Sequence, residues 1–124
     1  MISRRELVSV VDDDESVRES LPDFLRSFGY NVEPFASAEE FLASDSLERT
    51  GCLVLDVAMP GMSGPELQLE MARRRIAIPI VFITAHSAPR VASQVLSRGA
   101  VACLLKPFTD AAILDAVNSA MGKP

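Results

Sequence analysis

The sequence predicts an α/β fold, a doubly wound parallel sheet of five strands with helices on both faces, and three observations predict it. Four short apolar runs, residues 7–11, 52–57, 78–84 and 101–105, are β-branched or Leu-rich and continuous rather than alternating. That is the pattern of strands buried on both faces of a parallel sheet. A fifth run, 30–35, alternates and contains Pro34, which cannot donate a ladder hydrogen bond, so this strand belongs at an edge. Helical patterns fill the gaps, so strand and helix alternate five times, and right-handed crossovers then put helices on both faces.

Taken in order, strand 1 (7–11) runs directly into Asp12, Asp13 and Asp14, and Asp14 with Glu15 reads as the N-terminal cap of helix 1. Helix 1 carries Val17, Leu21, Phe24, Leu25 and Phe28 on one broad face and should stop at Gly29. Pro22 lies about two turns inside it, where it removes a hydrogen bond to the Arg18 carbonyl, so a kink is expected. After strand 2 (30–35), Ser37-Ala38-Glu39-Glu40 reads as a capping box opening helix 2. Strand 3 (52–57) is followed by Gly64 and Pro65, which suit the first turn of helix 3. Strand 4 (78–84) precedes Ser87 and Pro89, the start of helix 4, which should end at Gly99. Strand 5 (101–105) leads to Thr109 and Asp110 at the start of helix 5, and Gly122-Lys123-Pro124 follow that helix directly. There is no repeat or internal linker, and the expectation is one domain over 1–124.

Composition excludes several classes. With 124 residues, 48% of them hydrophobic, the chain can bury a real core, which fits neither disorder nor a disulfide-stapled miniprotein. A net charge of -5 leaves no basic stripe for phosphate neutralisation, so no direct nucleic-acid binding is expected. The only basic run, Arg73, Arg74 and Arg75, fans over different faces of a helix end and complements its dipole. Cys52 and Cys103 lie far apart inside apolar stretches and read as buried thiols. No window approaches the ~20 apolar residues of a membrane span, and a cytoplasmic location is expected.

The polar residues carry the functional signal. Asp12 and Asp13 end strand 1, Asp56 ends strand 3, Thr84 ends strand 4 and Lys106 ends strand 5, all at one edge of the sheet. Ligands of open parallel sheets bind outside the carboxyl ends of the strands, at the switch point of the winding. Three carboxylates there repel one another unless a cation intervenes, and hard Mg²⁺ suits carboxylates, a backbone carbonyl, waters and a phosphoryl oxygen. Lys106 supplies a point charge for a phosphoryl group and Thr84 a hydroxyl donor. With its charge neutralised, Asp56 could attack phosphorus and form an aspartyl phosphate. Each residue alone has a plainer reading: a cap for the acids, a strand residue for Thr84, a surface lysine at a turn for Lys106. An isolated Asp56 ending a buried strand is harder to dismiss, because a buried carboxylate is costly without a partner.

As a set, these residues resemble the receiver domains of two-component response regulators over essentially the whole chain. The motifs are Val10-Val11-Asp12-Asp13-Asp14-Glu15, Leu55-Asp56-Val57-Ala58-Met59-Pro60-Gly61-Met62-Ser63-Gly64, Phe82-Ile83-Thr84-Ala85-His86, and Gly99-Ala100 through Leu105-Lys106-Pro107-Phe108. Ser16-Val17-Arg18 and Thr84-Ala85-His86 are similar to the FixJ-type subgroup, whose receivers usually precede a helix-turn-helix output domain. The resemblance implies a CheY-like sheet ordered 2-1-3-4-5, with Asp56 the phosphoacceptor of a sensor histidine kinase. It implies Mg²⁺ held by Asp13 directly, by Asp12 mainly through water, by Asp56 and by the backbone carbonyl of Ala58. It further implies Thr84 and Lys106 on the phosphoryl group, a cis Lys106-Pro107 peptide, and Ala58 and His86 at positions that tune the phosphate lifetime. Such a domain is not an enzyme beyond its own phosphorylation and dephosphorylation. Phosphorylation would switch a homodimer surface on helix 4 and strand 5 and, through an output domain outside this chain, transcription.

One departure stands out. Three residues before the lysine the family usually has an aromatic switch residue, and here the switch position is Cys103, which implies a weakened or rewired relay from Thr84. The alternative is therefore a degenerate receiver that binds proteins without phosphorylation, for which only Cys103 speaks. A haloacid-dehalogenase-type phosphatase ranks below both, because the position two residues after Asp56 is Ala58 rather than a carboxylate. A flavodoxin-like cofactor binder ranks low too, because Asp12, Asp13 and Asp14 would repel its phosphate.

Overall fold

The computed structural model describes residues 5–86 and 88–123. Its elements are β1 (Leu7–Val11), α1 (Glu15–Arg26), β2 (Asn31–Phe35), α2 (Ala38–Leu42), a 3-10 turn (Asp45–Arg49), β3 (Thr50–Asp56), α3 (Gly64–Arg73), β4 (Ile80–Thr84), α4 (Pro89–Ser97), β5 (Ala102–Leu105) and α5 (Asp110–Ala120). All strand pairs are parallel, in the order β2-β1-β3-β4-β5. The fold class and strand order agree with the sequence reading, including the edge position of the proline-bearing β2.

Strand alternation explains how continuous apolar runs serve two layers. Val8, Val10, Cys52, Val54, Val81 and Ile83 face one side, where Leu21, Leu25, Ile113 and Val117 of α1 and α5 cover them. Val11, Leu53, Leu55, Ile80 and Phe82 face the other, against Phe41 of α2, Leu67 and Met71 of α3, and Val95 of α4. Each fully buried Leu or Phe stabilises the fold by roughly 1.5–3 kcal/mol. The buried hydroxyls of Ser9 and Thr50 are 2.7 Å apart, and Thr50 donates onward to the Ser46 carbonyl at 2.7 Å, so neither strand residue loses its hydrogen bonding.

Several local expectations are corrected. β5 is not buried on both faces: it is the other edge strand, half-buried along most of its length, with Leu105 exposed. Phe28 does not join the core face of α1 but lies past the helix end, 54% exposed and edge-on to the half-buried Phe24, with ring centroids 5.2 Å apart. By contrast, α1 continues through Pro22 as one helix, as its apolar face implied. At α2, Ser37 accepts from the Glu40 N–H as an N-cap, whereas the reciprocal capping box is found at α3, between Ser63 and Glu66. Arg73 and Arg74 both pair with Glu70, while Arg75 has left the helix with a φ of 60°. Ser87 lies outside the described residues, and α4 has Ala88 at its N-cap position with no side-chain cap bond. Cys52 is buried, which pushes its thiol up to about 12, but Cys103 is only half-buried. The Lys106-Pro107 peptide is cis, as the resemblance implied. Among the described residues no helix is long and apolar enough to cross a membrane.

Candidate functional site

Parallel strands deliver their last residues to one edge, and the register sets their level. Val11 lies opposite Leu55, Asp56 opposite Ile83 and Thr84 opposite Leu105. Asp12 and Asp56 therefore leave the sheet side by side, with Thr84 and Lys106 beyond them. Carboxylate oxygens of Asp12, Asp13 and Asp56 all lie within 4.8 Å of one another. Asp12 is fully buried and Asp56 nearly so, whereas Asp13 is exposed.

Each buried charge has defined partners. The Asp14 N–H donates to Asp12 Oδ1 at 2.9 Å, and Lys106 Nζ donates to Asp12 Oδ2 at 2.8 Å. The same ammonium lies 3.8 Å from Asp56 Oδ1, so it counters two carboxylates from one point. The Lys106 N–H donates to the Thr84 carbonyl at 2.7 Å, which fixes where the lysine leaves β5. Burial, then the adjacent Asp12 charge, push the Asp56 carboxyl up to about 7, against a smaller pull from Lys106. An all-oxygen, carboxylate-rich donor set of this kind fits a hard divalent cation, which would replace the missing positive charge.

Thr84 is buried at the end of β4, its hydroxyl donating to the His86 carbonyl and accepting from the His86 N–H, both at 3.2 Å. Ala58 and His86 are exposed, in the loops that follow β3 and β4. The structure thus brings Asp12, Asp13, Asp56 and Lys106 into contact range and places Thr84 at the same edge. Cys103 lies deeper in β5, opposite Phe82 of β4. Asp14 belongs to the helix, accepting from Ser16 N at 2.9 Å and Ser16 Oγ at 2.8 Å; these bonds hold its carboxyl below the usual range.

Some supporting residues have roles at the site that their sequence context does not announce. Arg18 donates to the Asp12 carbonyl at 3.0 Å, tying α1 to the first acid loop. Glu39 of α2 accepts from the Met62 N–H at 3.0 Å and so braces the loop that contains Ala58. Gly64 was readable only as punctuation, yet a Cβ there would lie 2.3 Å from the Asp56 carbonyl oxygen. Only glycine lets α3 begin that close beneath the acid.

Residues 8–118 match the family model described as the response regulator receiver domain. The chain is 48% identical over 118 residues to nodulation protein W of Bradyrhizobium diazoefficiens, covering 95% of this chain and 52% of that one. It is 44% identical over 117 residues to the transcriptional regulatory protein FixJ of Azorhizobium caulinodans, covering 94% and 55%. Among solved structures it is similar to the response regulator StyR, at 48% identity and a TM-score of 0.87 over 94% of this chain and 59% of that one. It is similar also to the crystal structure of FixJ-N, at 39% identity and a TM-score of 0.86 over 98% and 96%. The chain spans about half the length of the curated relatives it matches.

Proposed function

The chain belongs to the response regulator receiver domain family, and on that premise we propose that Asp56 accepts a phosphoryl group from a sensor histidine kinase in a Mg²⁺-dependent transfer. One observation carries this reading: three carboxylates within 4.8 Å of one another, one of them the terminal residue of the central strand β3, with a single lysine reaching two of them. Asp13, Asp56 and the Ala58 carbonyl would hold the cation, with Asp12 acting mainly through water. Held there, it would neutralise carboxylate charge and polarise the phosphoryl oxygens.

The protein's own part is positioning and charge. Burial fixes Asp56 at the mouth of the sheet, and one of its carboxylate oxygens attacks phosphorus. The P–N bond to the donor imidazole breaks as the new O–P bond forms, and the electron pair leaves with the nitrogen. Lys106 shifts from the carboxylates to a phosphoryl oxygen, and the Thr84 hydroxyl leaves its bonds to His86 to donate to another. Ala85 beside Thr84 is small and exposed, leaving room for the group. The phosphoryl group adds negative charge at the sheet edge and changes the α4–β5 face. With the relatives named as regulators about twice as long, we read residues 1–124 as the receiver half of a transcription regulator whose output domain follows α5.

The test is intact-mass measurement after incubation with acetyl phosphate, with and without Mg²⁺. One Mg²⁺-dependent phosphoryl adduct on the wild type, absent from Asp56→Asn, is expected. A folded, cation-binding protein that takes up no phosphoryl group would favour the phosphorylation-independent binding module instead.

A further inference from the structure

α4 is held lightly, with Val95 in the core and the half-buried Val91 packed against the same cluster. Of its nine residues only Val95 is buried, its N-terminus has no side-chain cap, and its first turn has no acidic residue. It is also undercut at its first turns, and a second cleft opens just past its end. Beneath its first turns lies a cleft of about 130 Å³ lined by Thr84 and His86, by Ala88, Pro89 and Ala92, and by Cys103 and Leu105 of β5. Past its C-terminal end lies a larger apolar one, about 430 Å³, between the turn into β5 (Arg98, Gly99 and Val101) and the end of α3 with the segment into β4 (Gln68, Met71, Ile78). Between the two clefts, the Val95 side chain sits in the core and its carbonyl accepts two bonds, one from the Ala100 N–H at 3.0 Å and one from Gln68 Nε2 at 3.0 Å.

The Gln68 contact is costly for what it returns in stability. The residue is 94% buried by its 6% exposure, and its Oε1 is the one buried side-chain oxygen or nitrogen without a partner among the described residues. Turning the amide over would set Oε1 against the Val95 carbonyl, so the orientation is fixed by chemistry. An unpaired buried acceptor costs more than one neutral hydrogen bond gains, and a leucine or methionine would fill the same space without that cost. What the amide provides, and an apolar side chain cannot, is a directional tie from α3 to one carbonyl of α4.

We propose that Gln68 is a positioning residue that pins α4 at Val95, the pivot about which the helix tilts into the cleft it shares with Thr84 and Cys103. The small Cys103 leaves that cleft open on the β5 side, so a Thr84 hydroxyl drawn toward a phosphoryl group, and with it the His86 backbone it is bonded to, is felt by the first turn of α4 with no aromatic side chain from β5 between them. The coupling to phosphorylation rests on the function proposed above; the latch itself does not.

Amide hydrogen exchange on Gln68→Met and Gln68→Leu tests it, without and with phosphorylation by acetyl phosphate and Mg²⁺. In the unphosphorylated variants the Ala92, Arg98 and Ala100 amides should exchange at least about tenfold faster than in wild type, with core amides such as Val54 unchanged. The thermal midpoint should be equal to or above that of wild type, because losing the orphan oxygen outweighs losing the bond. Phosphorylation, followed as an intact-mass adduct, should then change α4 exchange by less than half as much as in wild type. Exchange in α4 that matches wild type, or acceleration spread equally over the core as a merely structural loss would give, overturns the proposal. Failure of wild type to take the adduct would count against the functional reading alone, since exchange in the unphosphorylated proteins still decides the latch.

Discussion

Asp56 is the residue on which the account turns, and its surroundings oppose its own charge. Burial and the neighbouring Asp12 hold the carboxyl near neutrality, at about 7, so without a cation much of it is protonated and unable to act as a nucleophile. The folded state therefore binds more protons than the unfolded one between the ordinary carboxylate pKa and about 7. The stability this group contributes is full below pH ~4 and is lost as pH rises through ~7. In cation-free solution, thermal unfolding of Asp56→Asn should thus show a midpoint a few degrees above wild type at pH 8, a gap that closes toward pH 5 and in saturating Mg²⁺. Cation binding has to displace the proton, so the Mg²⁺ affinity of wild type should rise with pH across the same range, which calorimetric titration would measure. At this scale the sequence was informative where a polar side chain interrupts an apolar run: Asp12, Asp56 and Thr84 stand out against Val11, Leu55 and Ile83. Arg18 stood only in a subgroup likeness, Glu39 only in a cap and Gln68 in neither, because their roles are bonds to the backbone of another element, which local sequence does not specify.

At the scale of elements, four helices end with the same device. Tyr30 donates to Leu25, Ile76 to Met71, Ala100 to Val95 and Lys123 to Asn118, each across a residue in the left-handed region. Three of those residues are glycine, at positions 29, 99 and 122, and the fourth is Arg75. A side chain with a Cβ is strained there, so Arg75→Gly should stabilise the protein by about 0.5–1 kcal/mol, measured by urea unfolding. An unchanged or lower midpoint would mean that Arg75 has a contact which offsets its strain. The stops at Gly29 and Gly99 were legible because glycine itself is the signal; the arginine at the end of α3 hides the same turn. β5 misled for a related reason: Val101 to Leu105 is as apolar as the central strands, and burial at an edge depends on a neighbour that local sequence does not specify. The capping box was readable in principle at Ser63 and Glu66, but Gly64 and Pro65 between them drew attention to turn chemistry first.

For the whole molecule, a sheet covered on both faces leaves its carboxyl edge as the place where charge can gather, and the chain puts its buried acids and one lysine there. The fold was legible almost entirely from period and punctuation, since a parallel sheet writes itself as unbroken apolar runs and its crossovers as capped amphipathic helices. The scaffold that fixes the edge is the paired core, so Leu53→Ala, at a side chain with no exposure, should cost about 2–5 kcal/mol in chemical unfolding. Of the three carboxylates at that edge, Asp56 is the one proposed above as the nucleophile. Borohydride reduction of the protein after treatment with acetyl phosphate and Mg²⁺, followed by peptide mass mapping, locates it, because an acyl phosphate is reduced to the alcohol and leaves homoserine in place of aspartate. The account predicts homoserine at position 56 alone, and only when Mg²⁺ is present. Homoserine at position 12 or 13, or at none of the three in a folded protein that binds Mg²⁺, would contradict it.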